Sequence, residues 1–105
     1  MFRVIATETY LNEIEKLPKD YQDIAEKIPK KLAENPLLWS PLGYPFLREK
    51  RIKEKRIYYL VYPDLQLVLL VAMSGKKDQQ VTIEHIKNHL EAYKEVARNI
   101  SMQVS

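Results

Sequence analysis

The fold is decided by residues 48–80, REKRIKEKRIYYLVYPDLQLVLLVAMSGKKDQQ. A basic segment runs into an apolar strand at residues 57–62, and the dipeptide Pro63-Asp64 predicts a turn. A second apolar strand covers about residues 65–73 and ends in the basic loop at residues 74–77. Both strands are apolar on both faces, which is typical of the central strands of a sheet. The pattern predicts two buried strands that deliver two clusters of positive charge to one face.

The charge of the chain is concentrated in this stretch. Residues 48–56 contain six basic and two acidic side chains, whereas the whole chain has a net charge of only +3. The six basic residues are Arg48, Lys50, Arg51, Lys53, Lys55 and Arg56, and Lys76 and Lys77 follow the second strand. A basic patch on an otherwise slightly acidic body is expected of a protein that binds a polyanion. The alternative is a solvated hairpin tip that keeps an edge strand from aggregating.

The flanking segments predict helices packed on a small sheet. Residues 2–7 alternate as a short first strand, and residues 9–17 have helical spacing that ends at Pro18. A second helix covers about residues 20–35, and Pro29 should kink or split it. A final amphipathic helix of about five turns begins near Thr82.

These elements predict a single domain, residues 1–105, of the α+β class. It would contain a small antiparallel twisted sheet, built from the N-terminal strand plus a three-strand meander. An N-terminal α-hairpin and a C-terminal helix would pack on the sheet. The chain has no cysteine, and its first residues lack the apolar core of a signal peptide, so we expect a cytoplasmic protein without a membrane span.

Motifs for common catalytic sites are missing from the sequence. There is no glycine-rich phosphate loop and no pattern for a serine or cysteine nucleophile. His85 and His89 have a metal-ligand spacing, but no third ligand lies near them, and we predict no metal site. Trp39, in an irregular segment, is expected to be a packing anchor rather than a platform for stacking a base.

The basic residues therefore remain as the candidates for chemistry. Arg51 and Arg56 flank a turn, and their planar guanidinium groups suit phosphate oxygens. Lys77 could complete a phosphate pocket, and the tyrosines of the strand offer stacking surfaces or hydroxyls. Crowding of like charges could let a lysine act as a base, and the candidates are Lys53, Lys55 and Lys76. Structural pairing of the arginines with Glu49 and Glu54 is the alternative.

Several motifs occur in an order that resembles the RelE/ParE superfamily of toxin–antitoxin toxins. The chain begins with V-I-A-T-E-T-Y-L-N-E-I-E-K-L-P and continues with I-x-x-x-L-A-E-N-P before a G-x-P segment. It then has R-x-x-x-x-R-I-x-Y-x-V, from Arg51 to Val61, and V-A-M-S-G-K-K-D-Q-Q. The resemblance covers nearly the whole chain and is closer to the RelE type.

The resemblance implies a small ribonuclease that cuts mRNA in the ribosomal A site and is neutralised by an antitoxin. In such enzymes the 2′-hydroxyl of the mRNA attacks the adjacent phosphate, without a metal or other cofactor, while basic side chains stabilise the developing charge. Matched to this sequence, the catalytic residues would be Arg51, Arg56, Lys77 and Tyr59. The RNA-binding residues would be Arg48, Lys50, Lys53, Lys55 and Lys76.

One departure from the family pattern keeps other functions open. RelE-type toxins often carry a tyrosine shortly after the last basic loop, and residues 81–83 contain none. Either Tyr58 or Tyr59 replaces it, or the chain is a weak nuclease. The alternatives are a ParE-like inhibitor of DNA gyrase without catalysis and an inactive member that only binds its partner.

Overall fold

The computed structural model describes residues 1–103, so the last two residues of the predicted domain lie outside the described part of the chain. Within residues 1–103, five strands form one open sheet in the order β1-β5-β4-β3-β2. The strands are β1 Arg3–Ala6, β2 Ser40–Pro41, β3 Leu47–Ile52, β4 Lys55–Tyr62 and β5 Leu67–Gly75. The helices are α1 Glu8–Glu15, α2 Lys19–Glu26, α3 Ile28–Glu34, α4 Gln79–Asn88 and α5 Leu90–Met102. The predicted α+β class and the three-strand meander are confirmed.

The pairing of the first strand corrects the prediction of a wholly antiparallel sheet. Strand β1 lies beside β5 and is parallel to it, with Arg3 opposite Leu67 and Ala6 opposite Leu70. The meander of β3, β4 and β5 is antiparallel, as predicted. The chain between β1 and β5, which contains α1 to α3 and then β2 to β4, provides the long connection that parallel pairing requires. Strand β5 is therefore interior, which explains why it is apolar on both faces.

The predicted α-hairpin is present, and its second arm is divided into α2 and α3. Lys27 separates the two helices, and Pro29 lies in the first turn of α3, where its missing N–H is tolerated. The periodicity predicted a single C-terminal helix, and this prediction is wrong, because the structure has two helices there. His89 has φ −121° and ψ 19°, which interrupts the helix between α4 and α5. The break lets Ile86 of α4 and Ala97 of α5 pack into the same cluster.

The sheet separates two apolar clusters, and this separation fixes where each strand residue points. One cluster contains Ile57, Tyr59 and Val61 of β4 together with residues of α1 to α3. The other contains Tyr58 and Leu60 of the same strand with residues of α4 and α5. We call these the α1–α3 face and the α4–α5 face. Because successive strand residues alternate, neighbours in sequence belong to opposite faces.

The hairpin between β3 and β4 carries the basic segment to one end of the sheet. Ile52 pairs with Lys55, which leaves Lys53 and Glu54 as a two-residue loop at the predicted turn. Lys53 has φ +53°, a conformation that favours glycine or asparagine. The loop therefore adopts the backbone that a tight hairpin needs without the residues that favour it.

Candidate functional site

An open groove lies between the tip of the β3–β4 hairpin and the segment after β5. Its volume is about 700 Å³. The lining residues are Arg51, Lys53, Glu54, Lys55, Arg56, Gly75, Lys76, Lys77 and Asp78. Strand pairing brings the two basic clusters together, because Lys55 lies opposite Gly75 and Arg56 lies opposite Ser74. We call this the basic groove.

Arg56 is held within the groove wall by a buried carboxylate. Its Nε lies 3.5 Å from Oε1 of Glu49, and both side chains are only 9% exposed. Gln79, at the start of α4, donates from Nε2 to Oε2 of Glu49 at 3.4 Å. Glu49 thus connects the hairpin to α4 and forms an ion pair with Arg56, whose Nε makes no hydrogen bond within residues 1–103. The predicted alternative, a structural pairing of Arg56 with Glu49, is present alongside the groove.

Arg51 contacts the same carboxylate but is far more accessible. Its Nε lies 3.9 Å from Oε1 of Glu49, and its side chain is 71% exposed. Arg51 also lies directly opposite Arg56 in the antiparallel pair. The two guanidinium groups therefore share one anion from the protein, and Arg51 is free to turn toward a second one.

The lysines of the groove differ in how firmly they are held. Lys76 and Lys77 are exposed on the turn that follows β5. Lys53 pairs with Asp20 of α2, and its Nζ lies 5.1 Å from the ring centroid of Tyr21. The hydrogen bond to Asp20 raises the pKa of Lys53 above its ordinary value. Lys53 is therefore a poor choice for the base that crowding of charges predicted.

Two of the predicted RNA-binding residues do not line the basic groove. The guanidinium of Arg48 donates to the carbonyl oxygens of Trp39 at 2.9 Å, Pro45 at 2.7 Å and Leu37 at 3.2 Å. Lys50 places its Nζ 4.9 Å from the ring centroid of Trp39. Both residues alternate with Glu49 and Arg51 along β3, which puts them on the α1–α3 face.

Tyr59 also lies away from the groove. It is 0% exposed in the cluster of the α1–α3 face, on the opposite side of the sheet from Arg51 and Arg56. Tyr58 is on the correct face but is also 0% exposed, and its hydroxyl oxygen lies 2.8 Å from Oγ of Ser74. Burial raises the pKa of both tyrosines. Neither tyrosine is therefore placed to replace the one that residues 81–83 lack.

Metal ligation receives no support from the described residues. No group of three or more histidine, aspartate or glutamate side chains within residues 1–103 could hold a metal ion. The rings of His85 and His89 stack with centroids 4.1 Å apart, and Nδ1 of His89 lies 2.7 Å from the carbonyl oxygen of His85.

None of the helices described in residues 1–103 is long and apolar enough to cross a membrane.

The acidic residues of the site were the part that sequence reasoning missed. Glu49 appeared only as an alternative partner for the arginines, yet it is the buried centre of their contacts. A signal was available, because Glu49 and Arg51 are two apart on a strand and must share a face. Asp78 also lines the groove. It is placed there by the turn that follows Gly75, and the sequence pattern did not predict the course of that turn.

The fold is similar to that of RelE toxins of known structure. A double mutant of the E. coli RelE toxin in the free state matches with a TM-score of 0.69 and 19% identity, over 83% of this chain and 96% of that one. The RelBE2 toxin–antitoxin complex from Mycobacterium tuberculosis matches with a TM-score of 0.62 and 19% identity, over 71% of this chain and 98% of that one. The archaeal RelE–RelB complex from Pyrococcus horikoshii OT3 matches with a TM-score of 0.59 and 18% identity, over 71% of this chain and 94% of that one.

These similarities show a RelE-like fold. No protein-family model matches the sequence. No curated protein matches it either. The predicted resemblance is thus confirmed at the level of structure, and the chemistry of the basic groove has to be argued from its own residues.

Proposed function

We propose that this protein is the toxin of a type II toxin–antitoxin system and that it cleaves mRNA on the ribosome. The observation that carries the proposal is the basic groove, where the fold collects six of the predicted cationic side chains around a space of about 700 Å³. An RNA backbone is the polyanion that such a groove fits. The RelE-like fold supports the same reading, since structures with this fold include RelE toxins bound to RelB antitoxins.

The proposed reaction is an internal attack within the RNA. The 2′-oxygen bonds to the adjacent phosphorus while the bond from phosphorus to the 5′-oxygen breaks, giving a 2′,3′-cyclic phosphate and a 5′-hydroxyl end. A lysine of the groove, for which Lys55 and Lys76 are the candidates, takes the proton of the 2′-hydroxyl, and the ammonium so formed gives a proton to the departing 5′-oxygen. Arg51, Arg56 and Lys77 surround the phosphate and stabilise the charge that develops on its oxygens.

Glu49 gives this arrangement a fixed reference point. Its contact with Arg56 holds one guanidinium in the wall, so that donors are already oriented before RNA arrives. The exposed Arg51 and the lysines after β5 would then close on the phosphate from the solvent side. The affinity for RNA should fall as salt concentration rises, because binding releases counterions from the backbone.

The proposed partner is an antitoxin that neutralises the toxin. The M. tuberculosis and P. horikoshii structures with this fold are toxin–antitoxin complexes. The basic character of this chain, with a sequence pI of about 9.1, would favour a partner with an acidic segment. A short neighbouring gene for an acidic protein that co-purifies with the chain would support this pairing.

Primer extension on an mRNA in a translation extract tests the nuclease. The purified protein should cut at codons in the ribosomal A site, and Lys77→Ala and Arg51→Ala should each reduce cleavage by at least about tenfold through lost charge stabilisation. Lys30→Ala is the matched control, because Lys30 is an exposed lysine of α3, outside the groove. Cleavage that is unchanged in both groove variants would contradict the proposed site.

One observation favours a second candidate function, inhibition of DNA gyrase by binding. Tyr58 and Tyr59 are buried, and the described residues that line the groove include no tyrosine or histidine. A protein that only binds its target needs no such group. Intact mRNA together with blocked supercoiling by purified gyrase would replace the nuclease proposal with this one.

A further inference from the structure

A second pocket lies at the edge of the sheet, beside the basic groove. Its volume is about 410 Å³, and it is formed between β2 and β3. The lining residues include Trp39, Ser40, Lys50 and Arg51, and Glu49 closes one side. Arg51 lines both this pocket and the basic groove, so the two spaces adjoin at this residue. We call the second space the edge pocket.

The wall of the edge pocket is held in place before any ligand binds. Arg48 donates to three carbonyl oxygens of the segment from Leu37 to Pro45, and this fixes the backbone on both sides of Trp39. The indole meets Tyr59 edge-on, with ring centroids 6.2 Å apart and planes at 79°. One part of Trp39 is thus packed on the core, as predicted, while the remainder stays accessible. A wall fixed in this way lowers the ordering cost of binding.

The edge pocket offers a stacking surface for a nucleobase. The indole of Trp39 is a flat surface on which any base can stack, and Lys50 and Arg51 beside it can neutralise the phosphates of the same strand. Lys50 now places its ammonium 4.9 Å from the centroid of the Trp39 ring. Base stacking outweighs a cation–π contact at an exposed site, so a base can displace this ammonium. The released lysine would then be free to contact the phosphate next to that base.

We propose that the edge pocket binds the base of a nucleotide that flanks the phosphate held in the basic groove. The base stacks on Trp39, Arg51 lies between base and phosphate, and Lys50 neutralises the adjoining backbone. This inference rests on the proposed function only in that the ligand is single-stranded RNA. It assigns a role to Lys50 and Arg48, which lie outside the groove, as a backbone contact and as a support for the loop.

The chain offers its own reporter, because Trp39 is its only tryptophan. The probes are a short 2′-O-methyl oligoadenylate, which cannot be cleaved, and an abasic strand of the same length. The oligoadenylate should quench the fluorescence of Trp39 in a saturable manner and bind about tenfold more tightly than the abasic strand. Equal affinity for the two strands, or binding without a change in the emission of Trp39, would overturn the inference.

Variants separate the stacking role of Trp39 from its packing role. With a labelled strand and anisotropy as the readout, Trp39→Leu should lose the preference for bases over the abasic strand, while Trp39→Phe should keep most of it. Tyr44→Leu should leave the preference unchanged, because Tyr44 is an exposed aromatic residue outside the edge pocket. Thermal melting of each variant shows whether it is folded. A preference that survives in Trp39→Leu would contradict the edge pocket.

The same measurements distinguish failure of this inference from failure of the proposed nuclease. Base-dependent quenching without cleavage in the extract would overturn the nuclease and support the edge pocket. Cleavage in the extract without base-dependent binding would support the nuclease and overturn the edge pocket. Lys77→Ala should weaken the binding of both strands equally, because Lys77 contacts only the backbone in this arrangement.

Discussion

Both faces of strand β3 carry basic residues, but these residues make different contacts on the two faces. Arg48 and Lys50 point to the α1–α3 face, where one supports a loop through three carbonyl oxygens and the other covers Trp39. Arg51 points to the α4–α5 face and lines the basic groove with Arg56. A run of basic residues on a strand is therefore divided by the pleat, and of the basic residues of β3 only Arg51 lines the basic groove.

A buried carboxylate accounts for the difference between the faces. On the α4–α5 face, Glu49 pairs with the buried Arg56 at 3.5 Å, whereas Arg51 lies 3.9 Å from the same carboxylate and is exposed. On the α1–α3 face the guanidinium of Arg48 is already engaged by backbone carbonyls. Arginines held by the protein contribute to stability, and those left accessible are available to a ligand. Variants on the two faces should separate these roles.

The largest expected effect is the loss of stability in Arg56→Ala. Removing the guanidinium leaves the carboxylate of Glu49 buried without its nearest cation, and such a change typically costs about 3 kcal/mol or more. Urea denaturation followed by circular dichroism measures the free energy of unfolding. A variant as stable as the wild type would show that Arg56, like Arg51, is held too loosely to matter for the fold.

A double variant provides the control for this prediction. Glu49→Gln combined with Arg56→Met removes both charges and keeps similar volumes, so it should recover most of the lost stability. RNA binding should not recover, since the groove has still lost a guanidinium. Stability that stays low in the double variant would mean that the loss came from packing rather than from the isolated charge.

The second prediction compares Arg48→Ala with Arg51→Ala. Arg48→Ala removes three hydrogen bonds from a charged donor and should destabilise the protein by about 2 kcal/mol. Arg51→Ala should change stability by less than about 0.5 kcal/mol, because its side chain is 71% exposed. Arg51→Ala should lose more affinity for RNA than Arg48→Ala, and binding measured over a range of salt concentrations checks this order.

Arg48→Lys sharpens this contrast. A lysine keeps the charge but cannot reach three carbonyl oxygens with one fork, so the variant should remain destabilised by at least about 1 kcal/mol. If charge alone mattered on this face, Arg48→Lys would restore wild-type stability. Arg51→Lys, by comparison, should keep the stability of the wild type and lose part of its RNA affinity.

The sequence was sufficient for the elements that depend on local pattern. Apolar runs located β4 and β5, and Pro29 predicted the division of the second helical arm. The parallel pairing of β1 could not be read in this way, because it depends on how three helices cross the sheet. The break at His89 was hidden by an apolar stripe that continues through it.

The site was predictable only in part, because some of its contacts join elements that are distant in the sequence. Alternation along β3 could have separated Arg48 from Arg51, since the two are three residues apart on a strand. It could not show that three carbonyl oxygens would engage Arg48, because the loop before β3 has no regular pattern. Lys53 lines the groove, but its pairing with Asp20 arises from a contact between the hairpin and α2 that no local pattern predicts.

The smallest expected effects come from two buried tyrosines, one on each face. On the α4–α5 face, Tyr58→Phe removes the hydrogen bond to Ser74 and should cost about 1 kcal/mol at neutral pH. On the α1–α3 face, Tyr10→Phe should be nearly neutral, because the buried hydroxyl of Tyr10 has no hydrogen-bond partner within residues 1–103. Urea midpoints at neutral pH measure both changes, and an equal loss in the two variants would show that the hydroxyls are equivalent.

Alkaline pH should make the wild type less stable than Tyr10→Phe. Burial raises the pKa of Tyr10 from 10.0 to about 12, so the folded protein keeps a proton that the unfolded chain releases. The corresponding stability is complete below about pH 10 and is lost as the pH rises through the pKa of the folded state. The free energy of unfolding should therefore fall more steeply in the wild type than in Tyr10→Phe between about pH 10 and 12. Because the lysines titrate in both proteins, only the difference between the two curves reports Tyr10, and parallel curves would contradict the raised pKa.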